Sequence, residues 1–177
     1  MPDKHGFKTR ADMQETSVPD LKTKLGEILE SFSAVATNCV NIFFARPCTA
    51  LEPWHLTDDI DCGTDRIVII GYASTAYQAI TAVGMNTEDC FKLFGRSVHD
   101  DEFLDIFGEL LNNYCALLMD RDEFTGRFGI LHQSVPVLYS KGMPFLPFIS
   151  GVRGRIGAEG GSVITIGFSI KPRELLK

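Results

Sequence analysis

The sequence lacks any uninterrupted apolar run of the length a bilayer-spanning helix needs. Its first residues place Lys4, Lys8 and Arg10 among polar neighbours with no apolar core behind them, which argues against a secretory signal. Positive charge is scarce as well. Its 17 Lys and Arg against 23 Asp and Glu leave a formal net charge of −6, with no basic cluster to neutralise phosphates, so no nucleic-acid surface is expected. The 5 cysteines, Cys39, Cys48, Cys62, Cys90 and Cys115, are odd in number and form no Cys-x-x-Cys pair. A disulfide framework is therefore not expected, and the chain reads as cytoplasmic with reduced thiols. Cys48, His55 and Cys62 recur every seven residues near Asp58, Asp59 and Asp61, but without the short ligand pairs of a zinc site, and no metal centre is expected. The glycines 151, 154, 157, 160 and 161, with Arg153 and Arg155 among them, lack the Gly-Lys-Ser/Thr ending of a phosphate loop and read as a hairpin connection. No Gly-x-Ser-x-Gly elbow occurs.

What is present suits one domain with a sizeable core, at 45% hydrophobic and 23% charged residues. Residues 1–19 are polar and unpatterned and are expected to form a flexible arm; 20–170 carry the patterned elements, and 171–177 a short tail. Asp20 behind Pro19 predicts the cap of one long helix reaching about Phe44. Leu21, Leu25, Ile28, Leu29, Phe32, Val35, Cys39 and Phe43 form its buried stripe, and Arg46-Pro47 its stop. Residues 66–72 and 76–83 read as strands joined near Ser74-Thr75, and 86–94 as a short helix closed by Gly95. Further strands are predicted over 128–139, which includes His132, over 143–153 and over 162–170. This order predicts an α+β fold, an antiparallel sheet with helices packed on it.

The most informative stretch is 100–119. Phe103, Phe107, Leu110, Leu111, Tyr114, Leu117 and Leu118 share one face at helical spacing, and Asp100 or Asp101, beside His99, can cap the N-terminus. Opposite them Asp105, Glu109, Asn112 and Ala116 fall at offsets of four, three and four and line one polar stripe. The stripe carries two acids, an amide and a small residue, and the helix holds no Lys or Arg to pair with them. A solvated face usually mixes both signs of charge.

Asp105-x3-Glu109-x2-Asn112, followed downstream by Pro136, resembles the signature of the CheC/CheX/FliY family of phosphatases acting on CheY. Gly108-Glu109-Leu110-x-Asn112 is similar to the CheX branch in particular. The stretch between Asn112 and Pro136 is one residue longer than is usual in that family, which an insertion near Asp122 to Gly126 would absorb, and Tyr114 and Leu117-Leu118 are bulkier than the family's usual residues. The resemblance implies a CheX-like fold in which two long helices, here 20–44 and 101–119, pack side by side on a shared sheet. It implies one site per chain, because the first helix offers Glu27 and Glu30 but no Glu-x-x-Asn. The implied activity is hydrolysis of the aspartyl phosphate of a CheY-type response regulator in chemotaxis or two-component signalling. In that scheme Asn112 orients the attacking water, Glu109 pairs with a lysine of the partner, Asp105 and Ala116 touch the partner, and Pro136 belongs to the motif. An amide suits such a role because it is a poor base and nucleophile, yet its oxygen can hold a water in line with phosphorus. Mg2+ is then expected on the partner, with no cofactor of the chain's own, and a homodimer is implied. The alternatives are a catalytically silent docking or dimerisation module of the same fold, and a structural relative in the flagellar switch.

Overall fold

A computed structural model describes residues 18–59, 61–139 and 150–173. The helices are α1 (Val18–Gly26), α2 (Leu29–Phe44), α3 (Thr87–Phe94), α4 (Asp100–Met119) and α5 (Asp122–Phe128). The strands are β1 (Cys48–Ala50), β2 (His55–Thr57), β3 (Arg66–Ala73), β4 (Tyr77–Met85), β5 (His132–Tyr139), β6 (Ser150–Ala158) and β7 (Ser162–Pro172). All seven strands join one antiparallel sheet in the order β1-β6-β7-β4-β3-β5, with β2 also paired to β6. The fold is α+β, as the order of elements predicts.

Strand alternation sorts the sheet's side chains onto two faces. Val68, Ile70 and Tyr72 of β3 join the main core with Val83 and Met85 of β4 and Ile164, Ile166, Phe168 and Ile170 of β7. Ile67 and Ile69 of β3 point the other way, into a smaller cluster with Cys62, Ile80 and Ala82. The helices lie on the main-core face. There α2 packs beside α4, with the Phe44 and Phe107 rings 6.0 Å apart and the Cys39 thiol 3.7 Å from the Leu110 carbonyl. The expected side-by-side pair is thus formed by residues 29–44 and 100–119, while α1 packs on β6 and β2 instead.

Four differences from the sequence reading have local causes. The long helix over 20–44 is two helices, broken at Glu27-Ile28, and it begins at Val18, so Asp20 pairs with Lys24 at 2.9 Å inside the first turns. Gly26 weakens the helix there, and the Ile28 amide turns back to the Leu25 carbonyl at 3.2 Å. The apolar stripe runs on without interruption across the break, with Leu25, Ile28 and Phe32 all buried, so periodicity could not reveal it. Second, residues 122–128 are helical. Phe128, read as the start of a strand, instead closes α5, and the place read as a loop insertion is that helix. Phe124 and Phe128, four apart, both reach the core, and Asp122 and Glu123 occupy the first turn. Third, the strand predicted over 143–153 continues to Ala158 as β6, and its residues 143–149 lie outside the described residues. Fourth, β7 continues two residues beyond 170.

The glycines of β6 are packing positions. A Cβ on Gly154 would come within 2.0 Å of the Trp54 indole, so the strand can carry the ring only where a side chain is missing. All five cysteines are free and buried. Burial pushes the Cys62 and Cys115 thiols up to about 12, so both stay protonated and poorly nucleophilic near neutral pH. Among the described residues no helix is long and apolar enough to cross a membrane.

Candidate functional site on the fourth helix

α4 is held from three directions. At its N-terminus Arg66, buried at the start of β3, lies 4.4 Å above the Phe103 ring and donates to the Val98 carbonyl at 2.8 Å. Its guanidinium also stands 3.9 Å from the Asp100 carboxylate. The N-cap is His99, with extended backbone and no side-chain cap bond, so neither Asp100 nor Asp101 caps the helix; both lie in its first turn. They still face the positive end of the helix dipole. Along its length α4 rests on α2. Its third neighbour is β5, where a Cβ on Gly108 would stand 3.3 Å from both Cβ and Cγ of Pro136. Pro136 sits opposite Ile70 on an edge strand, a position that tolerates a missing N–H. Gly108 and Pro136 together let helix and strand approach closely, one residue before Glu109.

The apolar face is buried as its spacing predicts, with Phe103, Phe107, Leu110, Leu111, Tyr114 and Leu118 in the core and Leu117 half-buried. Tyr114 is fully enclosed and its hydroxyl has no hydrogen-bond partner among the described residues; burial raises its pKa well above the ordinary value. On the opposite side Asp105, Glu109 and Ala116 are exposed. Asn112 is half-buried, whereas its place on the polar stripe predicts exposure together with Glu109. Helical side chains lean toward the N-terminus, so Asn112 lies over the turn of Gly108, on the side Gly108 presents to Pro136. The Asn112 Oδ1 is shielded from solvent and receives no hydrogen bond from the described residues.

One residue of the site was missed from the sequence. The Asn113 side-chain amide donates to Glu109 Oε1 at 3.4 Å, a contact that the spacing of four could have suggested. Asp101, Asp105 and Glu109 have no basic partner among the described residues, so α4 presents an uncompensated acidic strip. The Cys48, His55 and Cys62 series is not brought together: Cys48 sits on β1, His55 is exposed on β2, and Cys62 is buried beneath the other face of the sheet. Among the described residues no three His, Cys, Asp or Glu side chains converge as a metal site.

No protein-family model and no curated protein sequence matches the chain. Solved structures do. CheX from Vibrio vulnificus superposes with a TM-score of 0.61 at 16% identity, covering 82% of this chain and 99% of that one. CheX from Desulfovibrio desulfuricans gives 0.62 at 14%, with 82% and 99% covered. CheX from Borrelia burgdorferi, solved as a CheX-CheY-BeF3-Mg2+ complex, gives 0.55 at 14%, with 80% and 96% covered. By these superpositions, the fold of this chain is that of the CheX, CheC-like and FliY chemotaxis proteins.

Proposed function

We propose that this chain docks the outer face of α4 onto a CheY-type response regulator and promotes hydrolysis of its aspartyl phosphate. The observation that carries the reading is the Asn112 Oδ1, an acceptor left without a donor beside the exposed carboxylate of Glu109. A buried polar atom left unpaired costs about 1–3 kcal/mol, so a water delivered at the docked interface would be taken up favourably. Held there, the water attacks phosphorus in line, the bond from phosphorus to the aspartate oxygen breaks, and inorganic phosphate and a free carboxylate result. A small rotation of the Asn112 side chain has to accompany docking, because its oxygen is shielded in the free chain. The divalent cation belongs to the partner and would neutralise charge on the phosphoryl oxygens. A protein of this fold, the Borrelia CheX, was solved with CheY, BeF3 and Mg2+, which supports a CheY-type partner.

Glu109 is assigned the charge contact with a lysine of that partner. Glu109→Ala should weaken binding of the phosphorylated regulator about tenfold at low salt, ~1.4 kcal/mol, with the gap closing as ionic strength rises. The hydrolysis rate at saturation should change far less. Binding unaltered at low salt would remove Glu109 from the interface.

We also propose a homodimer. Among the described residues β5 is an edge strand with exposed Val135 and Val137, and an apolar edge favours pairing with another chain. Sedimentation at micromolar concentration should show about twice the chain mass of 19.6 kDa; a species at 19.6 kDa would rule the dimer out.

A further inference from the structure

A cavity of about 470 Å³ opens at the end of the sheet, away from the polar stripe, where the β3–β4 turn meets the segment joining α5 to β5. Its polar wall is formed by Ser74, Thr75, Arg127, His132 and Arg173, and Ile130 supplies an apolar side. Among the described residues no Asp or Glu lines it, in a chain whose 23 acids outnumber its 17 Lys and Arg. The cationic groups differ in what they can offer. Arg127 is held by Glu27 at 3.0 Å and by the Glu123 carbonyl at 2.8 Å, so it forms a fixed wall and adds little net charge. Arg173 donates to the Ser74 carbonyl at 3.2 Å and has no carboxylate partner among the described residues. His132 is exposed beside it, at the start of β5 and opposite Ala73. Ser74 anchors the turn, its hydroxyl accepting the Ala76 and Tyr77 amides at 3.3 and 3.0 Å, which leaves the exposed Thr75 at the mouth. Ile130 is 66% exposed, an apolar surface next to the cations.

We propose that this cavity binds a small organic phosphate, with the phosphate on Arg173, His132 and Thr75 and the organic body against Ile130. The volume lies within the range of small-ligand sites, and the division into a cationic and an apolar wall matches a molecule with one anionic and one flat apolar end. A guanidinium and an imidazole supply donors suited to phosphate oxygens, and among the described residues no lining carboxylate competes for them. This inference does not rest on the phosphatase reading, since it uses no residue of α4.

The test is an NMR titration of the isotopically labelled full chain with AMP, adenosine and inorganic phosphate as probes. AMP should give saturable shifts confined to residues 73–77, 127–132 and 173, with adenosine and inorganic phosphate each binding at least about tenfold more weakly. Arg173→Gln should weaken AMP roughly fivefold or more, and adding His132→Gln should abolish saturation, while Arg155→Gln, an exposed arginine on β6, should leave it unchanged. Glu109→Ala should also leave it unchanged. The proposal is overturned by shifts that do not saturate up to about 10 mM AMP. It is equally overturned by an equal loss in Arg155→Gln, which would mean bulk charge, or by equal affinity for AMP and inorganic phosphate, which would leave no role for the apolar wall.

Discussion

Asn112→Ala is expected to slow dephosphorylation of the cognate regulator by roughly tenfold to a thousandfold, the loss that follows removal of one group positioning a reactant. The fold should not suffer. The lost amide oxygen makes no hydrogen bond, and alanine is the better helix former, so the urea midpoint should stay level or rise slightly. Rates and stability must be measured on the same preparation, against a panel of phosphorylated response regulators. A thousandfold loss with an unchanged midpoint is the signature of a positioning residue. Equal hydrolysis by wild type and Asn112→Ala would leave an enzyme whose site lies elsewhere. Wild-type protein that binds one regulator and accelerates none would turn the reading to the silent docking module.

Phe168→Ala carries the largest expected effect on stability, a loss of about 3–5 kcal/mol in urea denaturation. Phe168 of β7 is fully buried, with its ring centroid 5.2 Å from Phe32 of α2, 5.5 Å from Phe124 and 6.4 Å from Phe128 of α5. It therefore ties the first helical layer, the short helix and the sheet into one cluster, and a cavity there has three rigid rings around it that cannot easily collapse. An effect below about 1 kcal/mol would mean that the cluster repacks, and that its rings are less constrained than their contacts imply.

The polar stripe was legible because helical spacing is a strict rule. Once Phe103, Phe107, Leu110, Leu111 and Tyr114 commit one side of α4 to the core, Asp105, Glu109 and Ala116 have only the other side left. The sheet was legible for a similar reason, since β-branched runs such as Ile67 to Ile70 suit a strand covered on both faces. α5 stayed hidden because seven residues offer too few turns for a period, and its two phenylalanines fit a strand as easily. The break at Glu27-Ile28 stayed hidden because the buried stripe is continuous through it, and one glycine is a weak signal within a long apolar pattern.

The sequence by itself determined which residues face one another along an element: the acid–amide stripe, the core stripe, and the alternation that puts Ile67 and Val68 on opposite sides of the sheet. Those are local relations, set by 3.6 and 2.0 residues per repeat. Only the tertiary structure decided what each stripe meets. It brought Pro136 against Gly108 across 28 positions of chain, and it left Asn112 half-buried with its Oδ1 shielded. It also brought His132 and Arg173 to one cavity at the end of the sheet. No periodicity carries such meetings, because they follow from strand order and from how closely a helix lacking one side chain can approach an edge strand.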